Sequence, residues 1–158
     1  MGLVSNTQKP VPIMLCFNQP GYLLEASMPI IDHRTIPEVP WRPNYRKWDI
    51  IGPETGMSTN LSYSIAQVGT GAPLHLHQDD ELIVIMKGEL EVRIGDEFRT
   101  VGPEHTLAIP PNIEHGFTVV GKEEAELLVF FPVRNPFERT TYVEGPPPTL
   151  PGSPILDE

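Results

Sequence analysis

The chain has 158 residues, enough for one domain with a proper core, and its 21 acidic against 11 basic residues give a net charge of −10. No basic stripe and no apolar run of membrane-spanning length occur, so nucleic acid and membranes are not expected partners. A single cysteine, Cys16, rules out an internal disulfide, and no basic region followed by an apolar stretch opens the sequence, so the expected location is cytoplasmic.

Residues 1–49 carry prolines at 10, 12, 20, 29, 37, 40 and 43. That density forbids long helices and leaves extended arms and edge strands, so an extended N-terminal arm is predicted over 1–49. Residues 50–133 read as short strands punctuated by turns: Ser58–Val68, Glu81–Lys87, Leu90–Ile94, Glu97–Val101, Thr106–Ile109, His115–Val120 and Ala125–Phe131. Leu90, Val92 and Ile94 alternate with Glu89, Glu91 and Arg93, while Gly95-Asp96 and Gly121-Lys122 have the chemistry of hairpin turns. Regular short strands of this kind predict an all-β sandwich or small barrel. Residues 134–158 turn polar and end in GPPPTLPGSPILDE, a proline-rich C-terminal tail. No internal repeat suggests a second barrel.

The chemistry lies in GTGAPLHLHQDDELIVIMKG, residues 69–88. On a strand, His75 and His77 share a face at about 6.6 Å along the chain, and Glu81 follows four residues later. Two imidazoles and a carboxylate suit a divalent transition metal and leave coordination positions free. His115, in IPPNIEHGF, is a fourth candidate. A lone His-x-His pair is weak, because it arises easily by chance; the added Glu81, the flanking Gly69 and Gly88 and the later Pro-x-Asn-x-x-His make coincidence improbable.

These residues resemble a known family. Gly69-x5-His75-x-His77-x3-Glu81-x6-Gly88 is similar to the first cupin motif and Pro110-x-Asn112-x-x-His115 to the second. The resemblance covers about residues 50–133 and is to small single-domain, metal-binding cupins of the conserved-barrel type, such as the quercetin-dioxygenase-like ones. It implies an antiparallel jelly-roll barrel holding one divalent transition metal through His75, His77, Glu81 and His115, with Fe(II) favoured over Mn, Ni, Co or Zn. The second motif departs from the pattern: Glu104 stands at its opening glycine, Asn112 at its second glycine and Val119 at its final asparagine. Asparagine tolerates left-handed backbone better than most residues.

Other positions carry weaker signals. His105 is expected to be exposed, and Glu114, next to a ligand, to point away from the metal. Tyr63, on a strand leading to the site, is a candidate proton donor. Val84, Met86, Leu90, Val92 and Phe117 are read as the pocket lining, an apolar wall suited to an aromatic or ketonic small-molecule substrate. Three functions follow: a non-haem metal dioxygenase; a non-oxidative cyclase, isomerase, lyase or decarboxylase using the metal as Lewis acid; or a non-catalytic metal or small-molecule binding module. Trp41, Tyr45 and Trp48, which a lone arm could not bury, point to a homodimer with residues from roughly 10 to 50 at the interface, an arm covering its neighbour's sheet edge.

Overall fold

The computed structural model describes residues 30–148; Cys16 and the outer parts of both expected arms lie outside the described residues. In chain order the strands are β1 (Val39–Arg42), β2 (Tyr45–Ile51), β3 (Asn60–Ala66), β4 (Gly71–His77), β5 (Glu81–Lys87), β6 (Glu89–Ile94), β7 (Glu97–Val101), β8 (Thr106–Ile109), β9 (His115–Val120), β10 (Ala125–Phe131) and β11 (Thr140–Tyr142). They form two antiparallel sheets, ordered β1-β2-β3-β10-β5-β8 and β11-β4-β9-β6-β7, the jelly-roll arrangement. Among the described residues the only helical elements are short 3-10 turns, and no helix is long and apolar enough to cross a membrane.

Strand alternation builds the interior. Buried Asn60, Ser62, Ser64 and Ala66 on β3 lie opposite Phe131, Val129, Leu127 and Ala125 on β10. Across β10, Val129 and Leu127 face Ile83 and Ile85 of β5. The second sheet closes over them with Leu90, Val92, Phe117 and Val119. Leu90, Leu127 and Val119 are almost wholly inaccessible, each the sort of side chain whose truncation to alanine costs about 2–5 kcal/mol.

Both domain boundaries fall elsewhere than predicted. Val39–Arg42 and Tyr45–Ile51 are the first two strands of the larger sheet, not an arm. Pro40 is accommodated because β1 is an edge strand, where a missing N–H costs no ladder bond. Two of the three aromatic residues that suggested a partner pack within the barrel, and the third lies on its outer face. Tyr45 is buried in the core, Trp41 packs edge-on against Phe137 at 4.8 Å, and Trp48 lies 5.6 Å from Tyr63. The homodimer expectation thereby keeps only Trp48 of its aromatic argument, together with the open sheet edges. At the other end, the tail begins inside the fold: a 3-10 turn at Pro136–Arg139 leads into β11, which pairs with β4.

The departures from the second motif leave its backbone intact. Glu104 and Asn112 have φ of 72° and 63°, so the left-handed conformations associated with glycine are adopted by other residues. The Asn112 amide donates to the His77 carbonyl at 2.7 Å, tying the turn before β9 to the end of β4.

Candidate metal centre

His75 and His77 lie near the end of β4, Glu81 opens β5 and His115 opens β9. His75 and His115 are register partners on adjacent strands, and Glu81 reaches them from the facing sheet. One donor atom from each of the four residues lies within 4.8 Å of all the others. Ligands at opposite ends of one ion with bonds of about 2.1 Å stand roughly 4.2 Å apart, so a small contraction around an ion would bring all four into contact.

Hydrogen bonds fix which nitrogen is offered. His75 Nδ1 lies 2.8 Å from the Pro73 carbonyl, His115 Nδ1 2.8 Å from that of Ile113, and His77 Nδ1 2.6 Å from that of Asp79. A carbonyl only accepts, so each Nδ1 carries its proton and each Nε2 is left with a lone pair. His77 Nε2 and His115 Nε2 then stand 3.1 and 3.0 Å from Glu81 Oε2. Buried lone pairs facing a carboxylate repel unless a positive charge lies between them. The His115 Nε2 has no hydrogen-bond partner despite its complete burial. The donor set therefore fits a metal cation.

Neighbouring side chains hold these rings. Phe131 meets His77 edge-on at 5.1 Å, and Tyr142 stacks on His75 at 5.9 Å. Arg139 bonds Gln78 Oε1 at 2.8 Å and Asp79 Oδ1 at 2.9 Å, clamping the turn whose carbonyl orients His77.

The electrostatics carry the same signature. Burial pushes the His75 imidazole down to about 4, with His115 adding to the effect. Burial acts to raise the Glu81 carboxyl, yet the adjoining His115 and His77 imidazoles outweigh it and hold the group down at about 2. Burial likewise opposes charge on His77, but its bond to Glu81 prevails and the net shift is upward. In the ion-free protein a proton on His77 partly takes the metal's place. A raised histidine pKa means that protons compete from higher pH. Metal affinity is therefore expected to decline as pH falls, beginning somewhat above the usual histidine value of about 6.5 and steepening toward 4, where His75 also protonates. Metal titrations across this range check it; affinity unchanged down to about pH 4 is incompatible with three histidine ligands.

The residues above open onto a cavity of about 50 Å³. Of the wall expected from sequence, only Phe117 lines it. Leu90 and Val92 are buried core outside its lining. Val84 and Met86 are 37% and 53% exposed on the outer face, because an inward Glu81 sets Ile83 and Ile85 inward and their neighbours outward. Tyr63 is also outside: Ser62 and Ser64 point in, and the Tyr63 hydroxyl donates to Glu126 at 2.6 Å. The residues that do bring phenols to the cavity are Tyr45 and Tyr142, with Arg42 and Lys47 beside them. All four lie outside the stretch that sequence reasoning assigned to the barrel. His105 is exposed, with Nδ1 bonded to the Gly102 carbonyl at 3.1 Å. Glu114 pairs with Arg93 at 3.4 Å, away from the cluster.

The family model described as "Cupin domain" (Cupin_2) matches residues 62–131. No curated protein matches the chain in sequence. Among solved structures, the polyketide cyclase RemF from Streptomyces resistomycificus is similar at TM-score 0.62 and 19% identity, covering 76% of this chain and 88% of its own. An RmlC-like cupin from Shewanella frigidimarina is similar at TM-score 0.56 and 13% identity, covering 65% and 89%. A recombinant oxalate oxidase in complex with glycolate has TM-score 0.54 and 28% identity, covering 65% of this chain and 57% of that one. With the jelly roll, the paired motifs and this convergence of three imidazoles and a carboxylate, the chain carries a Cupin_2 domain at residues 62–131.

Proposed function

We propose that this protein is a mononuclear metal-dependent enzyme that oxidises a small organic molecule with O₂, a non-haem dioxygenase. The observation that carries this reading is the set of three tautomer-fixed Nε2 atoms and one carboxylate oxygen around a single point. Four protein ligands on a six-coordinate ion leave two positions open, and the bound metal would supply a meeting place for substrate and O₂ there. The likeness to an oxidase at 28% identity supports the oxidative class. Iron is the metal this reading favours.

The chain's own residues bind, orient and exclude water. Phe131, Phe117 and Ile83 keep the chamber dry, and Ser62 and Ser64 offer hydroxyls inside it. Tyr45 holds its proton, pushed up to about 12 by burial. That phenol favours a second reading, in which the metal acts as Lewis acid and Tyr45 donates the proton of a cyclisation, isomerisation, lyase or decarboxylation step.

Elemental analysis of the protein purified from its own host, followed by an oxygen-electrode screen of small organic acids, ketones and phenols, separates the two. Iron with substrate-dependent O₂ uptake is expected. Zinc, with turnover but no O₂ uptake, transfers the conclusion to the second reading.

A further inference from the structure

We infer that the substrate of this centre is an organic anion, captured through its carboxylate by Arg42. The inference rests on the metal-site reading above and names the substrate class for it.

The protein as a whole repels anions, at net charge −10, yet two of its few basic residues, Arg42 and Lys47, line the metal chamber. Lys47 is almost wholly buried and already neutralised by an ion pair with Asp49. Glu81 is committed to the histidine cluster. Arg42 is different. Half-buried at the end of β1, it has no carboxylate partner among the described residues. One N–H donates to the Pro146 carbonyl at 2.8 Å, and a guanidinium has five N–H groups to satisfy.

Desolvation that Tyr142 and Tyr45 offset only in part shows in its titration. Burial lowers the Arg42 pKa, whereas the exposed Arg34 and Arg46 are raised by hydrogen bonds to Asp32 and Glu38. The group stays charged regardless, since arginine does not deprotonate at physiological pH. A cation held at a cavity wall with donors to spare is a receptor for a planar, bidentate anion.

Its placement directs the captured group. The guanidinium sits over the Tyr142 ring at 5.7 Å, and Tyr142 stacks on His75. Arginine, phenol and metal-cluster imidazole thus form one continuous wall. A carboxylate at Arg42 would leave the rest of the molecule facing the cluster. The chamber of about 50 Å³ has room for only a few water-sized groups, so the acid enters it by a narrow reacting end.

The test uses the full chain, both metal-free and loaded with cobalt(II), titrated with straight-chain carboxylates and the matching amides, butyrate against butyramide for instance. Trp41, in the chamber wall, reports binding by fluorescence, and the cobalt d–d spectrum reports it at the metal. A charge-assisted pair of hydrogen bonds predicts at least about tenfold preference for the acid over the amide. R42Q should abolish that preference while amide binding and cobalt stoichiometry stay unchanged, and R42K should restore part of it. Equal binding of acid and amide, no binding of either, or a preference that survives R42Q overturns the inference. Failure to take up cobalt overturns the metal-site reading instead, and acid selectivity in the metal-free chain then still decides the role of Arg42.

Discussion

His77→Ala is expected to strip the protein of nearly all bound metal, weakening affinity well beyond the roughly 10–100-fold that loss of a merely supporting contact costs. His77 is 1% exposed and its Nε2 lies 3.1 Å from Glu81, so the substitution removes a ligand and opens a hole that water fills. His75→Ala and His115→Ala should behave alike. His105→Ala is the control, because that ring is exposed and bonded only to the neighbouring backbone. Glu81→Gln should be milder, since the amide oxygen still coordinates while the negative charge is gone. Metal stoichiometry after dialysis reads all five. Full occupancy in His77→Ala, or loss in His105→Ala, would mean that the ion sits elsewhere.

Gly71→Val should be the most damaging single change outside the cluster, at about 4 kcal/mol or more, with metal affinity falling alongside stability. Gly71 begins β4, and a Cβ there would lie 2.0 Å from the Phe117 carbonyl oxygen and 2.8 Å from its carbon. Both are backbone atoms of β9, so no rotamer relieves the clash. Either the strands part or β4 shifts, and β4 carries His75 and His77. Gly69→Ala provides the contrast. Its φ of 83° makes alanine uncomfortable, but nothing lies within 4 Å of the added carbon, so only about 1–2 kcal/mol of backbone strain is at stake. Chemical denaturation of the two variants separates steric from conformational cost. Comparable losses in both would show that the close approach of β4 and β9 is not what makes Gly71 necessary.

Much of the barrel was legible because its strands alternate cleanly. Glu81–Lys87, Glu97–Val101, Thr106–Ile109, His115–Val120 and Ala125–Phe131 have the bounds expected from pattern and turn residues alone. The four clustering residues were legible for a different reason: their spacing is chemical, and a β-period brings the histidines to one side whatever surrounds them. What was hidden was long-range. Proline density over 1–49 argues against strands in general, yet β1 tolerates Pro40 at an edge, and nothing local reveals that an edge is available. β11 is three residues long, and only its pairing with β4 makes it a strand. The cavity wall was misread by parity: Val84 and Met86 were chosen for being apolar, although Glu81 on the same strand already determined which side faces inward.

The four donors do not come from one sheet. β4 and β9 belong to the smaller sheet and β5 to the larger, so an ion at the cluster is a rivet through the sandwich. Separating the layers would mean surrendering the ion, and loading adds stability by mass action in proportion to RT ln(1 + [M]/Kd). Amide hydrogen exchange should register this as slower opening along β4, β5 and β9 together, while β1 and β7 at the outer edges exchange as before. Metal loading would then set how long the layers stay closed as well as what the chamber can do.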